Sequence, residues 1–193
     1  NLAFPPGAVL PFDPSVNNSN SIRSYFLLST IDVPSPSDPD PIVALLSSPG
    51  PLWVLKRRSV HAIDGSHPDL SQRLLYPGVG CIDLRSAISV DEGLFFAGEQ
   101  GVFHSPDGEQ LVNLTKGWIQ REWDALMRSW DANSYVTCGV ASGHLIVSGS
   151  FGGTARTYAY DLRERAWVSR FSNITARHFF TARVSGEIEK LFF

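Results

Sequence analysis

From Ile42 onward the chain is a succession of short apolar runs cut by turn-forming residues. Ile42–Leu46, the turn Pro49-Gly50-Pro51 and Leu52–Lys56 predict a strand, a tight turn and a strand. Ser59–Ile63 predicts a third strand, closed by Asp64-Gly65, and a looser stretch follows. Ala87–Val90, Leu94–Ala97, Val102–His104 and Gln110–Leu114 continue the series, with turns at Asp91-Glu92-Gly93, Gly98–Gly101 and Pro106-Asp107-Gly108. After a break, the same rhythm predicts strands over Tyr135–Val140, Leu145–Ser148, Arg156–Tyr160, Trp167–Phe171, His178–Arg183 and Ile188–Phe193. Gly149–Gly153 and Ser185-Gly186-Glu187 are among their connectors.

One segment has a different period. Trp118, Ile119, Glu122, Trp123, Leu126, Met127 and Trp130 recur every three to five residues, which predicts a helix of about three turns. Thr115 is its expected N-cap and Asn133 its expected stop. The segment before residue 42 is irregular. It holds an Asn/Ser cluster, one strand-like run (Ile22–Ile31) and the proline-rich loop 34–41. The organisation is therefore a lead-in over 1–41, meanders over 42–115, a helical connection over 116–133 and further meander over 134–193. Asn1 in place of Met, and the strand-like Leu191-Phe192-Phe193, suggest a piece of a longer polypeptide.

The fold class expected is all-β with one short helix: four-stranded antiparallel meanders in the manner of β-propeller blades, making a propeller or part of one. A blade takes ~40–45 residues, and the windows 86–115 and 144–193 fit best. Tight turns throughout, with no long crossover, argue against a Greek-key sandwich. Gly93, Gly101, Gly149 and Gly186 are expected in turns. Small residues at 141–143 and 148–150 are expected near the axis, and Trp53, Trp167 and Phe171 between blades.

Composition narrows the function classes. Only 18% of the 193 residues are charged and the formal charge is −3, which argues against a nucleic-acid clamp, and the longest apolar run is too short to span a bilayer. Cys81 and Cys138 read as two small buried thiols. The five histidines, His61, His67, His104, His144 and His178, show no metal-ligand spacing, and no G-x-S-x-G nucleophile motif occurs. Gly149–Gly153 lacks the Lys-Ser/Thr and the helix that a phosphate loop needs. No cofactor or metal is expected. Lys56-Arg57-Arg58 is the one run of three basic residues; it reads as a solvated hairpin turn or a contact to an acidic neighbour. Trp118, Trp123 and Trp130 read as core or, if the helix projects, as an assembly surface. These six residues are the candidate partner contacts, with loop 34–41 as a further contact element.

Three stretches, in this order along the chain, resemble the β-propeller structural proteins of tailed bacteriophages. Leu52–Gly65 looks like an apolar strand, basic turn and second strand ending in Gly. Val79-Gly80-Cys81-Ile82-Asp83-Leu84-Arg85-Ser86, with Gly93–Ala97 and Gly101-Val102-Phe103, is similar to a second motif series of tail, nozzle and hub proteins. Tyr158–Trp167 looks like a blade hairpin with Asp161 at its turn and Trp167 closing it. The resemblance implies a rigid, non-enzymatic virion part, in the tail or near the portal, assembled in the host cytoplasm. It would sit with other virion proteins as a ring or in repeated copies, away from nucleic acid and membrane. The alternatives are a cellular or periplasmic binding propeller, and a propeller-type glycan hydrolase using carboxylates such as Asp91, Glu92, Glu99 or Glu109.

Overall fold

A computed structural model describes residues 40–47, 51–66, 69–183 and 189–192. The expected strand Ile22–Ile31, nearly all of loop 34–41 and the turn at Gly186 lie outside these residues. Fourteen strands and one α-helix are present among them. The first sheet contains β1 (Ile42–Ser47), β2 (Leu52–Lys56), β3 (Ser59–Ser66) and β4 (Asp69–Pro77). The second contains β5 (Ala87–Val90), β6 (Gly93–Gly98), β7 (Gly101–Ser105) and β8 (Val112–Asn113). Helix α1 (Gln120–Arg128) precedes the third, made of β9 (Tyr135–Ala141), β10 (His144–Phe151), β11 (Thr154–Asp161) and β12 (Ala166–Phe171). A hairpin of β13 (Phe180–Arg183) and β14 (Glu189–Phe192) follows.

Each four-stranded sheet is an antiparallel meander in sequence order, without a crossover. Its first strands stand together: β1 lies against β5, β5 against β9, and the β13–β14 hairpin against β9. Meanders radiating from a shared set of first strands are propeller blades. A blade between two others is buried on both faces, and β6 shows what this demands. Leu94 and Phe96 pack toward the first blade with Trp53, Leu55 and Phe103. Phe95 and Ala97 pack toward the third with Val136, Leu145 and Val147. Hence the unbroken apolar run Leu94-Phe95-Phe96-Ala97, where a sheet with one wet face would alternate.

Several expectations need correction. The β3–β4 ladder runs through Asp64↔Ser71 and Gly65↔Leu70, so Asp64-Gly65 is strand and not turn. The looser stretch after it is β4, an outer strand whose largely solvated sides impose no apolar alternation. The third blade begins at Tyr135, because β9 pairs with β10, and ends at Phe171; β13 and β14 form a separate sheet and not its outer half. Gly149 lies within β10, whose ladder continues to Phe151. Trp53 is buried between blades as expected, but Phe171 on the outermost strand is 45% exposed.

The helix is shorter than its period predicted. The amides of Trp118 and Ile119 both bond back to the Thr115 carbonyl, so residues 115–118 form a turn and α1 starts at Gln120. The Thr115 hydroxyl bonds Asn113 Oδ1 (2.6 Å) instead of capping, and Ser129, not Asn133, closes the C-terminus. α1 is wedged between the second and third blades. Trp123 Nε1 donates to the Gly98 carbonyl (3.2 Å) and Gln120 Nε2 to that of Gln100 (3.0 Å), both on the second blade. Glu122 receives Arg156 (3.0 Å) and Arg170 (3.1 Å) from the third. Burial opposes the Glu122 carboxylate, but these arginine bonds outweigh it and hold its pKa below the ordinary value. No helix among the described residues is long and apolar enough to cross a membrane.

Candidate functional site

The six predicted contact residues do not form one surface. Trp123 is fully buried and edge-on to Phe151 (5.7 Å), so it belongs to the core. Trp130 is partly buried against the same ring (6.0 Å). Trp118, in the turn before the helix, is 75% exposed. The basic run dissolves in a similar way. Lys56 is buried, because the linker at Gly80-Cys81 lies over it and the Cys81 amide bonds its carbonyl (2.9 Å). Arg57 crosses to the second blade, where it pairs with Glu99 (3.0 Å) and bonds the Ile82 carbonyl (3.2 Å). Arg58 alone projects into solvent, while its amide bonds Asp40 Oδ1 (2.8 Å). One buried cation, one engaged and one exposed do not make a basic patch. The crevice beside Arg57 and Arg58 has about 20 Å³, room for a single water.

Asp40, Ser59 and His61 come together at the edge of the first blade. Ser59 Oγ donates to Asp40 Oδ2 (2.8 Å) and lies 3.1 Å from His61 Nε2, while Gln72 Nε2 lies 2.9 Å from His61 Nδ1. The Gln72 amide nitrogen can only donate, which assigns the ring proton to Nε2. The proton order is therefore Gln72 to His61 to Ser59 to Asp40. A nucleophilic serine needs the reverse, with an unprotonated ring nitrogen facing its hydroxyl. The network is a partly buried polar clasp.

Burial, and then the Lys56 charge, hold the His61 pKa below its ordinary value of 6.5, with Asp40 pulling the other way. A depressed histidine favours the neutral ring in the fold, so its contribution to stability is complete above 6.5 and fades as pH falls through the lower folded value. Urea midpoints measured from pH 7.5 to 5 are expected to fall with acidification, and His61→Asn to lose part of that slope. An equal slope in the variant would place the acid sensitivity elsewhere.

The thiols of Cys81 and Cys138 are free and buried. Burial pushes Cys81 up to about 11 and raises Cys138 as well, so neither is a thiolate nucleophile at neutral pH. Among the described residues no group of three or more His, Cys, Asp or Glu is placed to hold a metal ion.

The feature of the fold with unused chemistry is a cleft of about 280 Å³ between the first two blades. Pro51 and Trp53 line it from the first blade, and Ser89, Val90, Asp91, Gly93, Pro106 and Asp107 from the second. Successive turns of a meander alternate between its two ends. The β5–β6 and β7–β8 turns that build the cleft thus share one end, opposite the Arg57–Glu99 pair. Gly93 (φ +115°) lets these turns meet, since a Cβ there would strike the backbone of Ser105 and Pro106. Gly108 leaves space for the Trp53 ring, whose Cη2 would stand 2.7 Å from a Cβ at that position. Asp107 Oδ1 accepts the amides of Gln110 (3.0 Å) and Glu109 (2.9 Å), bonds that hold its carboxyl below the ordinary range. Trp53 Nε1 and Ser89 Oγ are buried without a hydrogen-bond partner. The sequence puts Trp53 between blades and Asp91 among the carboxylates, but nothing in it joins residues 53, 89 and 107.

Comparison with solved structures is consistent with this geometry. The WD40 domain of Neurospora crassa Pan2 superposes with a TM-score of 0.51 at 14% sequence identity, covering 77% of this chain. The fold is that of β-propeller blades. The match spans 45% of the Pan2 domain, so the chain corresponds to under half of that structure. No family model and no curated protein matches the chain. At this identity the likeness concerns the propeller fold alone.

Proposed function

We propose that the chain is a non-enzymatic propeller scaffold that holds partner proteins, and that it serves as a structural component of a tailed-phage particle, in the tail or near the portal. What carries the reading is the use made of the polar side chains. Arg57–Glu99 fastens the first blade to the second, Trp167 Nε1 bonds the Leu114 carbonyl (2.7 Å) to fasten the third to the second, and Glu122 locks the helix between them. Groups that would serve catalysis in an open pocket here stiffen joints. The carboxylates named for a hydrolase are also divided: Glu99 lies at the opposite end of the second blade from Asp91, Glu92 and Glu109. Stiff blades with free loops suit subunit contacts in a ring or in repeated copies. The phage setting rests on the order of the three motifs. A cellular protein-binding propeller is the second reading, favoured by the likeness to the Pan2 domain.

Quantitative mass spectrometry and immuno-electron microscopy of purified particles test the setting. The chain is expected at fixed stoichiometry and at one place on the virion. Its recovery solely from particle-free host fractions would favour the cellular reading, and polysaccharide cleavage by the purified protein would overturn the non-enzymatic one.

A further inference from the structure

We propose that the face of the first blade turned away from the second is the docking site of this chain's own segment Ile22–Ile31. Alternation along the strands sorts the two faces of the sheet. Ala44, Trp53, Leu55, Val60 and Ala62 pack toward the second blade. The opposite face carries the row in which Leu45 pairs with Val54, Val54 with His61 and His61 with Leu74. On it Leu45 is 57% exposed, Leu74 52%, Leu52 38% and Leu70 37%. Four leucines on one side of one sheet form an apolar patch of the kind that marks an interaction site.

The chain before β1 is delivered to this face. The Pro41 carbonyl accepts the Arg57 amide at the end of β2 (3.1 Å). Asp40 reaches the start of β3, where its carboxylate accepts the Arg58 amide and the Ser59 hydroxyl (both 2.8 Å). Traced backward from β1, the backbone thus runs outward across the end of the blade, past β2 to β3. Ser59 lies two residues before His61, and its hydroxyl stands 3.1 Å from that ring, so its side chain shares the face of the leucines. Asp40, bonded to it and 7% exposed, fixes the point of entry on the same side.

The segment has the apolar surface that the face calls for. Tyr25-Phe26-Leu27-Leu28 is an unbroken apolar run, as is Leu94–Ala97 of β6, and Arg23 is the single charge between Ile22 and Ile31. Its position also fits the repeat of the fold. Residues 78–86 join the outer strand β4 to β5, and residues 172–179 join β12 to β13. Residues 32–41 separate Ile31 from β1, a gap of similar length. That gap has only to cross the ~10 Å between packed sheets. A segment tethered so close acts at an effective concentration on the order of millimolar, which favours it over a second copy or another protein. The inference concerns this chain alone and is independent of the virion setting.

The test is amide hydrogen exchange of the full chain, read by mass spectrometry, together with its sedimentation. In a monomer, the amides of residues 22–31 are expected to exchange at least about a hundredfold more slowly than in the free peptide. Leu45→Asp/Leu74→Asp puts two charges on exposed positions of the face. It should speed exchange at 22–31 by at least about tenfold and leave Leu94–Ala97 protected. A second measurement decides the matter if that variant unfolds. Ser29→Cys/Leu74→Cys, treated with a bismaleimide of ~10 Å reach, should form a cross-link within one chain. The native Cys81 and Cys138 are buried and should stay unmodified. The proposal is overturned by exchange at the free-peptide rate, by protection that the folded double variant leaves unchanged, or by protection lost when a dimer is diluted. A cross-link that is absent, or that forms only between chains, overturns it as well.

Discussion

Replacing Trp123 by alanine is expected to destabilise the protein by about 3–5 kcal/mol, the usual cost of emptying a fully buried aromatic site. Trp123 is 0% exposed and joins parts that the backbone leaves separate. Its ring packs edge-on to Phe151 of the third blade, and its Nε1–H bonds the Gly98 carbonyl at the end of β6 in the second. Truncation removes apolar contact with the third blade and leaves a buried carbonyl of the second without its donor. For a chain of this length the melting temperature should fall by on the order of 10 °C. Trp123→Phe retains most of the ring and should cost about 1–2 kcal/mol, separating the hydrogen bond from the packing. Trp118→Ala, a few residues away but 75% exposed, should stay within about 0.5 kcal/mol. Similar losses at positions 118 and 123 would show that the helix is not seated between the blades.

Gly80→Ala should cost about 3 kcal/mol or more, although it adds one methyl group. Gly80 lies in the linker from the first blade to the second, and the Cys81 amide beside it bonds the Lys56 carbonyl at 2.9 Å. A Cβ at position 80 would overlap the Lys56 carbonyl oxygen and the Arg57 carbonyl group. These are backbone atoms of the β2–β3 turn, so no rotamer change relieves the clash. Either the linker lifts and the Cys81–Lys56 bond breaks, or the turn shifts and pulls Arg57 from Glu99. Gly78→Ala is the control. Its φ of +80° costs about 1 kcal/mol for an L-residue, but a Cβ there meets nothing within 4 Å. Urea unfolding of the two variants should rank Gly80→Ala well below Gly78→Ala. The opposite order would mean that blade contact at this joint is loose.

The strands easiest to read were those whose physics is local. β5 begins at Ala87 and ends at Val90, as its flanking turn residues indicate. β2 and β12 likewise lie close to the runs that predicted them. β4 carries no apolar alternation because an outer strand, solvated over much of its surface, can read DLSQRLLYP and still pair along its length with β3. The Asp64-Gly65 pair carries turn chemistry, yet cross-strand bonding carries the ladder past it to Ser66 and Asp69. The tryptophan stripe was a true periodicity with a misleading start. Trp118 shares the spacing but precedes the first helical residue, so one of three similar side chains is in water and another is wholly enclosed.

Side-chain chemistry was less legible than the strands. Lys56-Arg57-Arg58 is contiguous in sequence, but a strand end sends neighbouring side chains in different directions and separates them into core, joint and solvent. The cleft shows the converse, with Trp53, Ser89, Asp91 and Asp107 brought together from three segments by blade stacking.

Short strands, tight turns and one helix follow from the order of residues alone, because strand alternation, turn residues and the 3.6-residue period act over a few neighbours. Folding in three dimensions sets which faces are dry, which charges are paired and where a cavity remains. Those outcomes depend on the packing of one blade against the next, and no window of neighbouring residues contains both blades.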